Sequence, residues 1–293
     1  MSFFILYILI KTTNKEFIIT KIIILKLSIF MVGNIVKKNK IKKPFFSIIT
    51  VVKNDEKNIY KTLKSVSSQT FKNFEYVVID GRSTDKTLEI LKKNKRINFL
   101  ISEKDKGIYY AMNKGLKHSR GKIIVFINSG DIFSKNALKI VHDIFKKNSE
   151  ISFVFGTVLR KYTKANILKY GYNDKRLIYN FDFATAHSTG FFLNRKIFIK
   201  YGMFNTKFKI SADYDLYLRL ILNQKLLGGA TKKKDLIGIV ASGGYSSKVP
   251  FLRHLFEETK IRLNNNQNLI LVIIIFFNAI IKFIYKKTFN KWV

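Results

Sequence analysis

The sequence predicts an α/β fold with a mostly parallel central sheet flanked by helices. Three observations support this prediction. Short, almost wholly apolar segments of strand length alternate with segments whose apolar residues recur at helical spacing. Near-continuous apolar strands are typical of parallel sheets that helices cover on both faces. Polar and small residues follow directly after these strands, at the sheet edge where α/β proteins bind ligands.

Four strand–helix units fill the first half of the chain. The predicted strands are Phe46–Val52, Phe74–Ile79, Asn98–Ile101 and Ile123–Ile127. The apolar faces predicted for the helices that follow are Ile59, Leu63 and Val66; Leu88 and Leu91; Ile108, Met112 and Leu116; and Leu138, Val141 and Phe145. The expected caps of the first, second and fourth helices are Asn54 or Asp55, Ser83 or Thr84, and Ser134.

The chain divides into three zones. Residues 1–43 alternate apolar clusters with lysines, and they lack both an uncharged run of spanning length and a small-residue cleavage site. We expect this extension to lie outside the fold, and Met31 indicates that residues 1–30 are dispensable or precede the true start. Residues 44–250 form the expected main domain, with halves at 44–131 and 132–250. Residues 251–293 form a tail.

Composition narrows the function classes. The 293 residues include no cysteine, so disulfides and thiolate metal sites are excluded. The formal charge of +35 leaves three interpretations: a lysine-rich composition without functional meaning, attraction to an anionic membrane, and nucleic-acid binding. The lysines are scattered and no clear basic–aromatic motif accompanies them, so a nucleic-acid partner is not expected.

The tail combines an apolar run with a polar stripe. Leu269–Ile281 is apolar except for Asn278, and Asn278, Lys282 and Lys286 fall four residues apart on one side of a helix. This pattern is typical of an interfacial helix that lies on an anionic membrane. A helix docked on the protein's own core and a spanning or re-entrant segment are the alternatives.

Acidic residues follow two of the predicted strands. Asp80 stands where nucleotide-binding α/β units place an acid that contacts the base or ribose, although a capping turn is the alternative. Asp131 follows the fourth strand. It could hold Mg²⁺ or Mn²⁺ if a diphosphate supplies the other oxygen ligands, or it is an ordinary turn residue.

Two further positions have a functional and a structural interpretation. Gly107 opens the third helix, so Lys106 could meet a phosphate at the helix N-terminus or be a solvated lysine. Asp213 lies at the start of a later helix, in the segment ISADYDLYLRL. Its carboxylate is a general base or an N-terminal cap, and spacing alone does not separate these two roles.

Five segments together resemble family 2 glycosyltransferases. They are FSIITVVKND, QTFKNFEYVVIDGRSTDKT, SEKDKGIYYAMNKG, GKIIVFINSGD and HSTGFFLNRKIFIKYGMFNTKFKISADYDLYLRL, in this order across about Phe45–Lys248. The resemblance implies the GT-A fold, inversion at the sugar carbon, and the bacterial branch that builds capsule, exopolysaccharide or lipopolysaccharide. It also implies that residues 44–131 bind the nucleotide and that residues 132–250 face the acceptor.

The resemblance assigns roles to individual positions. Asp213 would be the base that activates the acceptor, and Asp131 would hold Mn²⁺ or Mg²⁺. His187 and Asp215 would lie on the acceptor side. The residues implied to contact the nucleotide sugar are Thr50, Val51, Val52, Asn54, Asp80, Lys106, Gly107, Asn113, Asn128 and Gly130. The segment Gly243–Ser247 resembles a mobile loop near the donor phosphates, or is a glycine-rich surface turn.

The chain departs from the family pattern at several of these positions. Gly81, Tyr110 and Ala212 stand where relatives often have acids, and Ser188 replaces a glutamine. Asn128 and Gly130 replace acids of the DxD region, so only Asp131 keeps a carboxylate there. These departures make a catalytically inactive scaffold the main alternative, beside a nucleic-acid binder and a polytopic membrane protein.

The function implied is transfer of a sugar from a nucleotide-diphosphate donor, with UDP-sugars favoured, to a hydroxyl of a surface glycan or lipid-linked acceptor. The expected location is cytoplasmic, peripheral to the inner face of the cytoplasmic membrane.

Overall fold

The structure, a computed structural model, describes residues 35–38, 43–162, 165–179, 187–244 and 249–288. Most of the predicted extension 1–43, residues 245–247 of the predicted mobile loop, and the end of the tail therefore lie outside the described residues. Residues 35–38 of that extension, expected to lie outside the fold, instead form an edge strand of the central sheet. The central sheet has the strand order β1-β4-β3-β2-β5-β10-β7-β11. Its strands are β1 (Ile35–Lys38), β2 (Phe46–Val52), β3 (Phe74–Asp80), β4 (Phe99–Ser102), β5 (Ile123–Phe126), β7 (Phe153–Phe155), β10 (Phe191–Asn194) and β11 (Gly228–Ala230).

The four predicted strands form a continuous parallel part of this sheet. β2 pairs in parallel with β3 and β5, and β3 pairs in parallel with β4. Both faces of these strands are buried, which explains why their sequences are apolar without alternation. The predicted α/β fold with a mostly parallel central sheet is confirmed.

Helices cover both faces of the sheet. They are α1 (Ile59–Ser67), α2 (Thr87–Lys93), α3 (Ile108–His118), α4 (Ala137–Lys147), α5 (Asp174–Leu177), α6 (Arg195–Tyr201), α7 (Ala212–Tyr217), α8 (Phe251–Asn264) and α9 (Leu269–Thr288). The predicted inward faces of α1, α3 and α4 are buried, or partly buried at Ile108. On α2, Leu91 is buried and Leu88 is partly buried against the same core.

The predicted helix caps are wrong. α1 begins after Asn58, α2 after Lys86 and α4 after Asn136, each without a side-chain cap. The polar residues at these turns bond across to other loops, because the loops lie against one another at the sheet edge. The hydroxyl of Ser134, for example, donates to the carbonyl oxygen of Leu236 at 2.5 Å.

Two features of the second half are not visible as strand–helix units in the sequence. β10 inserts between β5 and β7 and is antiparallel to both, so residues of both predicted halves share one sheet. A second sheet has the order β6-β12-β8-β9 and consists of β6 (Ile132–Phe133), β12 (Leu236–Val240), β8 (Thr157–Lys161) and β9 (Asn166–Lys169). β6 begins directly after Asp131, so this sheet borders the strand-end loops.

Helix α8 packs onto the main domain, although its sequence lies in the predicted tail. Glu257 accepts hydrogen bonds from the backbone N–H groups of Lys209, Ile210 and Ser211, at 2.7–2.9 Å. The guanidinium of the buried Arg262 donates to the carbonyl oxygens of residues 178 and 179. α8 therefore holds the loop that leads into α7, where Asp213 lies.

Helix α9 packs one face against α8 and exposes another. Phe283 stacks on Phe251 with ring centroids 4.2 Å apart, and Phe276 contacts Phe256. The exposed apolar stripe of α9 consists of Ile270, Ile274, Phe277, Ile281 and Ile284. No helix within the described ranges combines the length and apolar character that crossing a membrane requires.

Candidate functional site

Two cavities open at the carboxyl edge of the parallel strands. Cavity A, of about 620 Å³, is lined by residues that include Val51, Val52, Lys53, Gly81, Asp105, Lys106, Gly107, Tyr109, Lys209 and Arg253. Cavity B, of about 310 Å³, is lined by residues that include Tyr109, Asn128, Arg160, Lys169, His187, Ser188, Asp213, Tyr217, His254 and Glu258. Tyr109 and Ile108 line both cavities, so the N-terminus of α3 lies between them.

Of the three β2 residues predicted to line the nucleotide base, two face cavity A. Val51 and Val52 line this cavity. Thr50 is fully buried, donates to the carbonyl oxygen of Ile127 at 2.8 Å and bonds the hydroxyl of Tyr76 at 3.0 Å. Its predicted contact with the base is therefore corrected: Thr50 joins β2 to the end of β5, because its hydroxyl is buried in these two hydrogen bonds.

Asn54 and Asp80 organise the loops at the wall of cavity A. Asp80 is fully buried and accepts hydrogen bonds from the hydroxyls of Ser83 and Ser102, at 2.5 and 2.6 Å, and from the Ser83 N–H at 3.1 Å. Asn54 accepts from the Thr84 N–H at 2.8 Å, and its own N–H donates to the Ser83 hydroxyl. These contacts fix the β2 and β3 loops against each other; the predicted nucleotide contacts stay predictions.

The start of α3 supplies the predicted Lys106 and Gly107 to cavity A. Gly107 has φ 153°, and a Cβ there would meet only Tyr110 at 3.9 Å, so glycine is favoured by backbone conformation rather than by crowding. Asn113 lies one and a half turns further along. Its side chain donates to the Phe204 carbonyl oxygen and accepts from the Phe204 N–H. The predicted nucleotide contact of Asn113 is corrected to this docking role.

Asp213 faces cavity B from the first turn of α7. Its carboxylate accepts a hydrogen bond from the Tyr109 hydroxyl at 3.3 Å and from the Tyr214 N–H at 2.9 Å. Burial raises the pKa of Asp213 to about 6, and the hydrogen bonds only partly oppose this effect. Asp213 is thus a carboxylate of raised basicity that lies in a cavity and is ionised at neutral pH.

Asp215 points away from cavity B. Its carboxylate is buried, accepts from the Arg219 guanidinium at 2.9 Å and accepts from the Asn265 amide at 3.1 Å. The predicted acceptor-side role of Asp215 is therefore corrected. Two residues apart near the start of one helix, Asp213 and Asp215 point in different directions, and only Asp213 reaches the cavity.

The loop Asn128–Asp131 is held by hydrogen bonds to other segments of the chain. Gly130 has φ 91°, a conformation that a side chain would strain, and its N–H donates to the Thr62 hydroxyl at 2.9 Å. Asn128 lines cavity B, and its amide nitrogen donates to the Ser188 hydroxyl at 2.9 Å. The buried Oδ1 of Asn128 has no hydrogen-bond partner among the described residues.

Asp131 is buried, with 3% of its surface exposed. One carboxylate oxygen accepts from the Thr189 hydroxyl at 2.5 Å, and the other accepts from the Ala241 N–H at 2.9 Å. Burial raises the pKa of Asp131 to about 6. The side chain thus joins three segments: the end of β5, the turn 188–190 and the end of β12.

The donor set does not fit a divalent cation held by Asp131. Both of its oxygens already accept protein hydrogen bonds, and the nearby unpartnered oxygens are an amide of Asn128 and a hydroxyl of Ser129. No group of three His, Cys, Asp or Glu residues arranged for a metal exists within the described ranges. Mg²⁺ and Mn²⁺ favour accessible carboxylate oxygens, so the structure gives Asp131 a structural role, and its predicted metal role stays a prediction.

His187 lies beside this loop and lines cavity B. Its Nδ1 accepts from the Thr189 N–H at 3.2 Å and lies 3.9 Å from the Asp131 carboxylate. Burial lowers the pKa of His187 to about 3, with a further contribution from the charge of Arg160. The ring is therefore neutral at physiological pH.

Several lining residues are missing from the sequence interpretation, among them the following five. Arg160 and Lys169 lie on β8 and β9, and His254 and Glu258 lie on one side of α8. Asp105, in cavity A, pairs with Lys114 at 2.7 Å and keeps one buried oxygen without a partner among the described residues. The four-residue spacing of His254 and Glu258 was the one available signal, since it places both on one helix face.

Comparisons with known proteins agree with this geometry. The family model Glycosyl transferase family 2 matches residues 47–202, which is more than half of the chain. Chondroitin synthase from Escherichia coli is 31% identical over 198 residues, which cover 63% of this chain but only 28% of that protein. A PGL/p-HBAD biosynthesis glycosyltransferase from Mycobacterium tuberculosis is 28% identical over 232 residues, covering 74% of this chain and 86% of that protein.

Two similar solved structures carry glycosyltransferase GT-A folds. Residues 1–349 of S. aureus TarS give a TM-score of 0.62 at 20% identity, covering 86% of this chain and 75% of that one. The mannosyltransferase PcManGT from Pyrobaculum calidifontis, in complex with GDP-Man and Mn²⁺, gives a TM-score of 0.57 at 14% identity. The match covers 83% of this chain and 71% of that one. At these identities the structures establish the fold. Together with the family match, they show that the chain is a GT-A-fold enzyme that belongs to glycosyl transferase family 2.

Proposed function

We propose that the protein is an inverting glycosyltransferase that moves a sugar from a nucleotide-diphosphate donor to a hydroxyl of a surface glycan or lipid-linked acceptor. The observation that carries the proposal is the position of Asp213. Its carboxylate faces a cavity at the carboxyl edge of the parallel strands, next to the Asn128–Asp131 loop, and is ionised at neutral pH. Solved TarS complexes with UDP and UDP-GlcNAc share this fold and favour a UDP-sugar as donor.

The donor's nucleotide fits cavity A. Val51 and Val52 offer apolar surface for a base, and the unpartnered oxygen of Asp105 offers an acceptor for a ribose hydroxyl. Lys106 and the start of α3 face the same space, where N–H groups and positive charge stabilise the phosphate next to the ribose. The sugar then enters cavity B, where Asn128 Oδ1 is an acceptor for a sugar hydroxyl.

The proposed reaction has a single displacement. Asp213 accepts the proton of the acceptor hydroxyl as the oxygen forms its bond to the anomeric carbon. The bond from that carbon to the diphosphate oxygen breaks on the opposite face, and its electron pair leaves with the nucleoside diphosphate. Because Asp213 is held by Tyr109 and the Tyr214 N–H, its orientation is set before the acceptor binds. No step is assigned to a metal, since Asp131 is occupied by protein donors.

A thermal-shift screen tests the proposal. We expect at least one of UDP, GDP and their common sugar conjugates to raise the melting temperature of the purified full chain. The rise should grow with ligand concentration, because a ligand that binds only the folded state stabilises it by mass action. If none of these compounds produces a shift at millimolar concentration, the proposed donor site is wrong.

The C-terminal helix supports a peripheral membrane location for this activity. The exposed stripe of α9 is apolar, and Lys282 and Lys287 follow on exposed positions in a chain of net charge +35. An apolar face flanked by lysines favours the interface of an anionic bilayer. A lipid-linked or growing surface glycan would meet the site at that surface, on the inner face of the cytoplasmic membrane.

Vesicle sedimentation tests the membrane contact. We expect the full chain to bind phosphatidylglycerol-containing vesicles, and the double variant Phe277→Asp/Ile281→Asp to bind about tenfold or more weakly, since two apolar side chains lose their burial. Ile199→Asp is the matched control, because Ile199 is 67% exposed but lies on α6. Equal binding by the wild type and the double variant would exclude α9 as the contact.

A further inference from the structure

We propose that Arg160, assisted by Lys169, neutralises the donor diphosphate in the role that a divalent cation would otherwise fill. This inference deepens the proposed function and rests on it, because it takes a nucleotide-diphosphate sugar as the ligand. It assigns an anion subsite to the β8–β9 hairpin of the second sheet, which borders cavity B.

The two cations lie on one face of this hairpin. The antiparallel register pairs Arg160 with Ile167 and Val158 with Lys169. Side chains alternate along each strand, so Arg160 and Lys169 project from the same side, on a diagonal. Both line cavity B, whereas the neighbouring Lys161 is exposed and projects from the opposite side.

Arg160 lines the same cavity as Asn128 of the Asn128–Asp131 loop and as His187 beside it. Its positive charge partly opposes the rise that burial causes in the pKa of Asp131, and it adds to the fall that burial causes in the pKa of His187. Within the described part of the chain, Arg160 forms no salt bridge, and its contact is with the ring of Tyr162, at 5.5 Å from the centroid. No described carboxylate therefore neutralises the guanidinium by direct pairing.

The chemistry of the cavity favours a phosphate over a cation at this place. The planar guanidinium donates parallel hydrogen bonds that match phosphate oxygens, and a second cation adds charge. Asp131 is the one carboxylate of the Asn128–Asp131 loop, and its two oxygens already accept hydrogen bonds from Thr189 and Ala241. When the bond to the anomeric carbon breaks, the leaving oxygen takes the electron pair. Fixed positive charge beside that oxygen lowers the barrier in the same way as a preorganised anion hole.

Calorimetric titration of the full chain with UDP and with GDP tests the inference. In excess EDTA, we expect the preferred nucleotide to bind the wild type within about twofold of its affinity in Mn²⁺. Arg160→Met should weaken this binding by about 10- to 100-fold, because hydrogen bonds to a charged group are lost. The nucleotide affinity of Arg160→Lys should lie between those of the wild type and Arg160→Met. Lys161→Met, which removes one charge from the other face of the same strand, should bind like the wild type.

The outcomes separate this inference from the proposed function. Binding that is present in Mn²⁺ but lost in EDTA would overturn the inference alone, since a donor site would still exist. Wild-type affinity in Arg160→Met, or equal losses in Arg160→Met and Lys161→Met, would also overturn it. No binding of any nucleotide by the wild type under either condition would overturn the proposed function itself. Circular dichroism of each variant shows whether the fold is retained.

Discussion

Asp213→Asn should lower the rate of sugar transfer by about 10²–10⁴-fold, the usual contribution of a positioned general base. The amide keeps the size of the carboxylate and the contact with Tyr109, but it accepts no proton. Nucleotide affinity should stay within a few-fold of the wild type, because Asp213 lines cavity B and not cavity A. Turnover with a sugar nucleotide and titration with the nucleoside diphosphate measure the two effects separately. Wild-type turnover in this variant would refute the base assignment.

The pH dependence of the wild type provides the control for this assignment. Burial raises the pKa of Asp213 to about 6, so kcat/KM should fall as pH drops below about 6 and the base becomes protonated. The neighbouring groups are Tyr109, Tyr217, His254 and Glu258, and burial raises the pKa of Glu258 to about 7. Glu258→Gln should retain the acidic limb near pH 6. Loss of that limb in Glu258→Gln would identify Glu258 as the base.

Asp131→Ala should destabilise the folded protein by about 3 kcal/mol, because two charge-assisted hydrogen bonds in a buried place are lost and their donors are left unpaired. These donors are the Thr189 hydroxyl and the Ala241 N–H. Asp131→Asn keeps one acceptor oxygen, so its free energy of unfolding should fall by less. Urea unfolding with a shared m-value measures the difference in the free energy of unfolding.

A metal-ligand role for Asp131 would give another pattern. The free energy of unfolding would then change little, while nucleotide binding would lose its response to Mn²⁺. In our account the stability changes, and nucleotide binding responds little to Mn²⁺ both in the wild type and in whichever variant folds. The combined result therefore decides whether the carboxylate serves the fold or a cation.

The sequence revealed the parallel half of the fold because burial on both faces leaves a simple pattern. Phe46–Val52 contains two polar residues, Ser47 and Thr50, and both are buried in hydrogen bonds. The second sheet was missed because its strands are short and half-exposed, as in Asn166–Lys169. No local periodicity marks such strands, and their pairing depends on distant partners.

The candidate site was predicted in outline and corrected in its contacts. Asp213, Asn128, Lys106 and Gly107 line the cavities, as position beyond a strand or at a helix start suggested. His187, which the family resemblance assigned to the acceptor side, lines cavity B as well. Which way a polar side chain points is decided by tertiary partners that spacing does not show. Asn113 turns to a backbone 91 residues away, and Asp131 turns to one 110 residues away.

Helix α8 is a second element whose tertiary contacts the sequence does not predict. The sequence pattern assigns its residues to a tail because the apolar run that follows dominates that pattern. In the structure, Glu257 holds the loop before α7, and His254 and Glu258 enter cavity B. A helix of mixed polarity gives little sequence signal for docking, although its contacts decide where Asp213 lies.

The most direct test of the central claim is the release of nucleoside diphosphate from a bound sugar nucleotide. The assay uses the purified full chain, a donor identified by thermal shift, parallel reactions in EDTA and in Mn²⁺, and bacterial membrane extract as the source of acceptors. Our account predicts release that requires the extract and is lost in Asp213→Asn. Binding of the donor with no release above that of Asp213→Asn would contradict it, and would identify the protein as a catalytically inactive GT-A scaffold.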